Sequence, residues 1–282
     1  GFSELGEADR LLTELADLVG IAREDLLVGA DRAADPDAAL ESLVRVARRD
    51  PAAVGSALRR VGATLWLLLG ASSGFGDFYL RHPAELAHVR AGEALPTADE
   101  LRAELLEAVE ADAEGFAATG EERAWVALRV RYRRLLARIA AYDLGATDAV
   151  AVLADVAAAL ADAAGAALEA SLCVARTRVA SGGAGTGLFP RDQVAQARLA
   201  IIGMGKTGAR ELNYVSDVDV IFVGGGTDAL VDEIGESRVI DIATRLAVQT
   251  MRGISGMEIE PPLWEVDANL RPEGKQGALV RS

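Results

Sequence analysis

Asp217 and Asp219 lie two residues apart in Ser216-Asp217-Val218-Asp219, at the head of a β-branched run over 218–223. On a strand, side chains two apart leave the same face, with Cα atoms roughly 6.5–7 Å apart. Two carboxylates at that spacing can flank one divalent cation, or share a pair of cations about 3.5–4 Å apart. They repel one another unless a cation or a donor lies between them. Asp267, on the polar side of a later alternating run, can supply a third arm. Upstream, Gly203-Met204-Gly205-Lys206-Thr207-Gly208 follows the apolar run 199–202, so a strand enters a glycine turn and a short helix, expected from about Thr207 to Asn213. Exposed N–H groups and the Lys206 ammonium there would face an anion. Arg271 offers a guanidinium to an anionic substrate or, equally, an ion pair to Glu273 or Glu265. Together these residues read as metal-assisted phosphoryl or nucleotidyl transfer. The turn and Lys206 would hold phosphates, and Mg²⁺ on Asp217, Asp219 and Asp267 would activate the attacking oxygen and stabilise the leaving one. The plainer alternative has Asp217 capping a turn and Asp219 solvated.

Two familiar patterns overlap this stretch and fail on spacing. Gly203, Gly205 and Gly208 spell the dinucleotide-binding G-x-G-x-x-G. That fold needs a crossover helix of about 10–12 residues or more before the next, parallel strand. Asp217 follows Gly208 by only nine positions, turn included. Gly205-Lys206-Thr207 looks like the end of a P-loop, but the first glycine of that loop would fall at position 200, which is Ala200.

The elements that must position these groups fall into two textures. Residues 1–180 read as successive helices, with apolar residues three and four apart, as in Leu11, Leu12, Leu15, Leu18 and Val19. Asp35-Pro36, Asp50-Pro51 and His82-Pro83 punctuate them. Over 147–175, Asp148, Asp155, Asp162 and Glu169 recur every seven residues and are expected to form a solvated stripe. The Gly-rich stretch 181–190 reads as a linker. Residues 191–282 then form a mixed α/β unit. Its strands are expected over 199–202, 218–223 and 263–270, with Trp264, Val266, Ala268 and Leu270 on one face of the last. Val239, Ala243, Leu246 and Thr250 form one row of a helix between them. The fold class is α+β, a helical region carrying a mixed sheet.

Composition narrows the chemistry. The 282 residues carry 29 Lys+Arg against 43 Asp+Glu, a net charge of −14. That balance argues against nucleic acid or anionic lipid as partner. The one cysteine, Cys173, leaves no material for an internal disulfide or a Cys-rich zinc site, and having only His82 and His88 argues against a His-ligand metal centre or a Ser-His-Asp triad. A metal would sit on carboxylates and be a hard cation such as Mg²⁺, with Mn²⁺ as the substitute. The acidic N-terminus has no signal layout, and the apolar run 61–70 falls short of the roughly 18–20 residues of a span. A cytoplasmic protein is the expectation. Arg123, Arg129, Arg131, Arg133, Arg134 and Arg138 form a local basic stretch, either paired with neighbouring acids or free to dock a partner.

The string GMGKTGARELNYVSDVDVIFV (203–223), followed by WEVDANLRPEGKQGALVRS (264–282), resembles the glutamine synthetase adenylyltransferase/adenylyl-removing enzyme family, within the DNA polymerase β-like nucleotidyltransferase superfamily. Gly203, Gly205, Lys206, Gly208, Glu211, Leu212, Asn213, Ser216, Asp217 and Asp219 fall on the family's first motif. Asp267, Leu270, Arg271, Pro272, Gly274 and Gly277 fall on its second. Residues 131–144 look more loosely like its preceding helix, with Tyr142 where the family carries Arg. The resemblance implies a nucleotidyltransferase unit over 191–282 that would continue past Ser282. It implies Asp217, Asp219 and Asp267 as metal ligands and catalytic residues, and Gly203, Gly205, Lys206, Ser216 and Arg271 toward the nucleotide phosphates. Glu211 and Asn213 would brace the motif. Met204 and Glu211-Leu212-Asn213 resemble the unit that removes AMP from a tyrosine of glutamine synthetase by phosphorolysis, phosphate in and ADP out. The alternatives are adenylylation of the synthetase from ATP and a non-catalytic docking fragment. Glutamine synthetase, ATP or ADP, phosphate and a PII-type nitrogen signal protein are the partners the resemblance implies.

Overall fold

Asp35 and Asp50 each accept a backbone N–H three residues on, from Ala38 and Ala53, and each precedes a proline that opens a helix. Carboxylate cap and fixed proline φ together start helices without leaving a first-turn donor unpaired. A computed structural model describes residues 1–3, 5–118, 121–180, 189–270 and 274–282, with the backbone alone at Glu121 and Lys275. Among these, the helices are α1 (Leu5–Val19), α2 (Arg23–Leu26), α3 (Pro36–Arg49), α4 (Pro51–Ala71), α5 (Ser73–Arg81), α6 (Ala98–Ala108), α7 (Glu121–Gly145) and α8 (Ala149–Ala180). There follow α9 (Arg191–Gln196), β1 (Ala197–Gly203), α10 (Gly205–Ala209), β2 (Val218–Gly226), α11 (Asp228–Ile234), α12 (Glu236–Ser255), β3 (Val266–Asp267) and β4 (Val280–Arg281).

The chain forms two compact units. The first comprises Gly1–Leu95 with Arg133–Val156, the second Pro96–Tyr132 with Ala157–Ser282. The first is helical, and α1 and α3 bury the stripes the spacing predicts: Leu11, Leu12, Leu15 and Val19, then Leu40, Leu43, Val44 and Ala47. The run 61–70 lies inside the 21-residue α4. That helix and α8 are long and apolar enough to cross a membrane by length and composition alone, which the ten-residue run did not suggest. Most of the apolar window of α4 is buried. Its Trp66 donates from Nε1 to the Leu26 carbonyl at 2.7 Å, as an indole in a protein core does.

The second unit carries the sheet. β1 and β2 pair antiparallel from Gly203 opposite Val220 to Ala197 opposite Gly226, so no parallel crossover exists between them. β3 and β4 pair parallel with β2, with Val266 beside Val218, Asp267 beside Asp219, and Val280 beside Phe222. α12 buries Val239, Ala243, Leu246 and Thr250, the row expected of it.

The units do not part at the glycine-rich stretch, whose residues 181–188 lie outside the described ones. Its end, Phe189, packs into a core with Phe116, Ala175, Val179, Val194, Val239 and Leu246. The C-terminal half of α8 therefore belongs with the sheet, because its apolar stripe needs the cover of α12. The third expected strand shrinks to Val266–Asp267. Pro261 and Pro262 offer no ladder N–H upstream. Downstream, the Asp267 carboxylate accepts the Asn269 N–H at 2.7 Å, folding the chain into a turn and leaving Leu270 52% exposed. The helix expected from Thr207 to Asn213 instead spans Gly205–Ala209. Arg210 ends it in the left-handed conformation, φ 58°. The seven-residue acidic stripe on α8 is not merely solvated. Asp148 caps the helix, Asp162 pairs with Arg210 and Glu169 with Arg102, while Asp155 stays exposed.

Candidate metal centre

β2 places Asp219 one position inside its edge, and the parallel register with β3 sets Asp267 directly beside it. Asp217 precedes the strand by one residue. The outcome is that Asp217, Asp219 and Asp267 each offer a carboxylate oxygen within 4.8 Å of the others. Asp217 is exposed, while Asp219 and Asp267 are half-buried. Burial pushes the Asp219 carboxyl above its ordinary range, Asp217 and Asp267 add repulsion, and Lys206 pulls the other way. Three anions at this distance are a costly arrangement without a cation between them. An all-oxygen donor set of carboxylates is the chemistry of a hard divalent cation.

The glycine turn is sewn onto the same strand. Met204 N–H donates to the Asp219 carbonyl at 2.8 Å, and Gly208 N–H closes the turn on the Met204 carbonyl at 2.9 Å. Gly205 has φ +51°, and a Cβ there would lie 2.7 Å from Asp219 Oδ2. The glycine thus permits both the left-handed backbone and the approach of turn to carboxylate. A Gly205→Ala protein should keep its fold yet lose metal-dependent turnover on the order of 10²-fold, since displacement of a reacting group by about 1 Å has that effect. Steady-state rates beside a melting curve would check it, and an unchanged rate would count against Gly205 as the spacer.

The remaining site residues divide. Lys206 Nζ lies 3.4 Å from Asn213 Oδ1, and Glu211 N–H donates to the Lys206 carbonyl at 2.8 Å, so Glu211 and Asn213 stand against the lysine segment. Gly203 closes β1 opposite Val220. Ser216 is half-buried beside Asp217. Arg271 lies outside the described residues. Of three further residues bearing on this region, Arg210 and Tyr132 were given no role in the sequence, and Arg129 was read only as one of a basic stretch. Arg210 holds α10 to Asp162 through two bonds, at 2.6 and 3.1 Å. Arg129, fully buried, donates to the carbonyls of Arg252, Gly253, Gly256 and Glu260. Tyr132 Oη accepts from Trp264 Nε1 at 3.2 Å. A signal was available: Trp125, Arg129 and Tyr132 share the apolar face of α7, where an arginine needs partners. Three other arginines of the basic stretch are engaged within their own units. Arg131 pairs with Glu104 and Glu107, Arg134 with Glu85, and Arg138 with Glu93.

Residues 62–282 match the family model described as glutamate-ammonia ligase adenylyltransferase. The whole chain is 54% identical over 285 residues to a protein of Leifsonia xyli named bifunctional glutamine synthetase adenylyltransferase/adenylyl-removing enzyme, covering 28% of it. A protein of that name from Streptomyces avermitilis is 42% identical over 295 residues, covering the whole of this chain and 26% of the relative. One from Mycobacterium avium is 41% identical over 270 residues, 93% of this chain and 24% of the relative. The chain thus spans about a quarter of the length of the curated relatives it matches.

Proposed function

The chain belongs to the glutamate-ammonia ligase adenylyltransferase family, and from that premise we propose that its carboxylate site removes AMP from an adenylyl-tyrosine of glutamine synthetase by phosphorolysis. The observation that carries this reading is the convergence of Asp217, Asp219 and Asp267 within 4.8 Å, beside Gly205 and Lys206. In this reading the sheet is a DNA polymerase β-like nucleotidyltransferase unit. The form of the motif, Met204 with Glu211-Leu212-Asn213, favours removal over addition.

The donor set fits Mg²⁺ or Mn²⁺ held by Asp217, Asp219 and Asp267. Bound there, the cation would supply charge neutralisation at the reacting phosphoryl group. The chain's own groups do the rest. Lys206 and the N–H groups around Gly203 and Gly205, with Ser216 and Arg271, orient the attacking phosphate and the adenylyl phosphate. A phosphate oxygen bonds to the AMP phosphorus as the bond from phosphorus to tyrosine oxygen breaks. ADP leaves, and the tyrosine oxygen takes a proton. Glu211 and Asn213 keep the lysine segment in place.

The test incubates adenylylated glutamine synthetase with this protein, Mg²⁺ and phosphate, and measures ADP. Label transfer from ATP to the synthetase, without phosphate-dependent ADP release, would reverse the assigned direction. Lys206→Met carries two expected changes. The KM for phosphate rises about tenfold or more, since a hydrogen bond to a charged group contributes roughly 1.5–3 kcal/mol. The Asp219 carboxyl also loses the cation that holds it down, so it takes up a proton at higher pH. The acid limb of the pH–rate profile should move upward, and an unmoved limb would remove Lys206 from the electrostatics of the site.

A further inference from the structure

Asp267 reaches the site from a strand only two residues long, with only Val218 and Asp219 of β2 for ladder partners. The connection from α12 is tied down at several points, among them the pair of Arg252 with Glu258. Met257 and Ile259 are 86% and 78% exposed, so these two side chains add no apolar burial to its order. Pro261 and Pro262 contribute no N–H to a ladder. One face of α7 grips the connection at two places. Arg129 donates to the Gly256 carbonyl at 2.8 Å and to the Glu260 carbonyl at 2.6 Å. Three residues on, Tyr132 accepts the Trp264 indole N–H at 3.2 Å, and the two rings meet edge to face with centroids 6.4 Å apart. Leu263 N–H is tied to the Ile254 carbonyl at 3.0 Å, and the Glu265 carbonyl receives Val218 N–H at 2.9 Å. From Trp264 to Asp267 the chain is short, since three residues span at most about 10 Å. A shift at Trp264 therefore acts only three residues from the carboxylate.

We propose that Tyr132, acting through Trp264, is a positioning residue for Asp267, so that helix α7 sets the geometry of a site otherwise built on the sheet. The proposal rests on the reading of the three aspartates as a metal centre.

The experiment is a Mn²⁺ titration of the protein followed by electron paramagnetic resonance, with circular dichroism of every variant. Tyr132→Phe keeps the ring and removes the acceptor; Trp264→Phe removes the donor. Each is expected to weaken Mn²⁺ binding about tenfold, the scale on which groups behind a metal ligand act. The double variant should bind no worse than either single one, because both remove the same bond. In an Asp267→Asn background Tyr132→Phe should change nothing further, whereas a general loosening of the unit would weaken binding in both backgrounds. Asp219→Asn distinguishes the two levels of failure. If it leaves Mn²⁺ affinity as in the parent protein, the metal reading falls and the positioning role with it. If it abolishes binding while Tyr132→Phe and Trp264→Phe bind as the parent does, the positioning role alone is overturned.

Discussion

Asp219→Asn should lower the phosphate-dependent release of ADP by at least about 10³-fold while raising, not lowering, the melting temperature of the metal-free protein. The two effects have one cause. Asp219 is the central member of the cluster, beside Asp267 across the β2–β3 pair and two residues from Asp217. In the metal-free protein its charge is opposed by burial and by both neighbours, with Lys206 the counterweight. An amide of the same shape removes that repulsion and keeps the backbone bond from Met204 N–H to the residue 219 carbonyl. With metal present the balance inverts. Asparagine removes one of the three anionic ligands, the one that Asp217 and Asp267 flank, so the cation would be held weakly and the several kcal/mol of transition-state stabilisation it would supply would be lost. At about 1.36 kcal/mol per tenfold, that amounts to roughly 10³-fold or more. Asp217→Asn should have the smaller effect on metal-free stability, because Asp217 is exposed. The measurements are ADP release under saturating Mg²⁺ and thermal unfolding in a chelator. Retained turnover would sink the assignment of Asp219. A lowered melting temperature in chelator would show that the cluster is held by hydrogen bonds and is not strained by charge.

The approach of these carboxylates was legible because it depends on two local rules, alternation along a strand and the shortness of a connection. Asp217 and Asp219 share a face whatever the sheet does. Nine positions after Gly208 leave no room for a crossover helix to a parallel neighbour, and the structure pairs β1 and β2 antiparallel. Other features depend on which surface covers which, and periodicity does not carry that. Alternation over 263–270 suggested a full strand, but the Asn269 N–H is taken by the Asp267 side chain and the ladder stops. The glycine-rich stretch looked like a boundary, yet Ala175 and Val179 on one side share a core with Val194 and Leu246 on the other. Gly205 was legible as a turn glycine; its contact with Asp219 Oδ2 is tertiary and was not. Arg129 was hidden most completely, since a composition count places it among five neighbouring arginines and burial sets it apart from them.

Arg129→Met is accordingly expected to be the most destabilising of the single substitutions considered, at about 3–5 kcal/mol. The guanidinium is fully buried. Five of its donor–acceptor contacts converge on the end of α12 and the segment after it: Arg252, Gly253, Gly256 and Glu260. The last carbonyls of a helix have no partner within it, and they carry the negative end of its dipole. A planar cation with several donors satisfies them and complements the dipole in one stroke. Burial pulls the Arg129 pKa down, but guanidinium remains protonated at any pH at which the protein is studied. Methionine fills a comparable volume and supplies no donor, so buried carbonyls lose their partners at about 1–3 kcal/mol each before water and local relaxation recover part of the loss. Lysine is the sharper control. It keeps the charge but presents a single ammonium, which cannot reach carbonyls spread from residue 252 to 260, so Arg129→Lys should recover less than half of the loss. In thermal unfolding the methionine variant should melt roughly 10 °C lower, given about 2–4 °C per kcal/mol for units of 150–250 residues. If Arg129→Lys melts with the parent protein, charge alone suffices and the fork of hydrogen bonds does not hold the end of α12. If Arg129→Met does so as well, the segment leading to Asp267 is held by other contacts, and α7 is not its anchor.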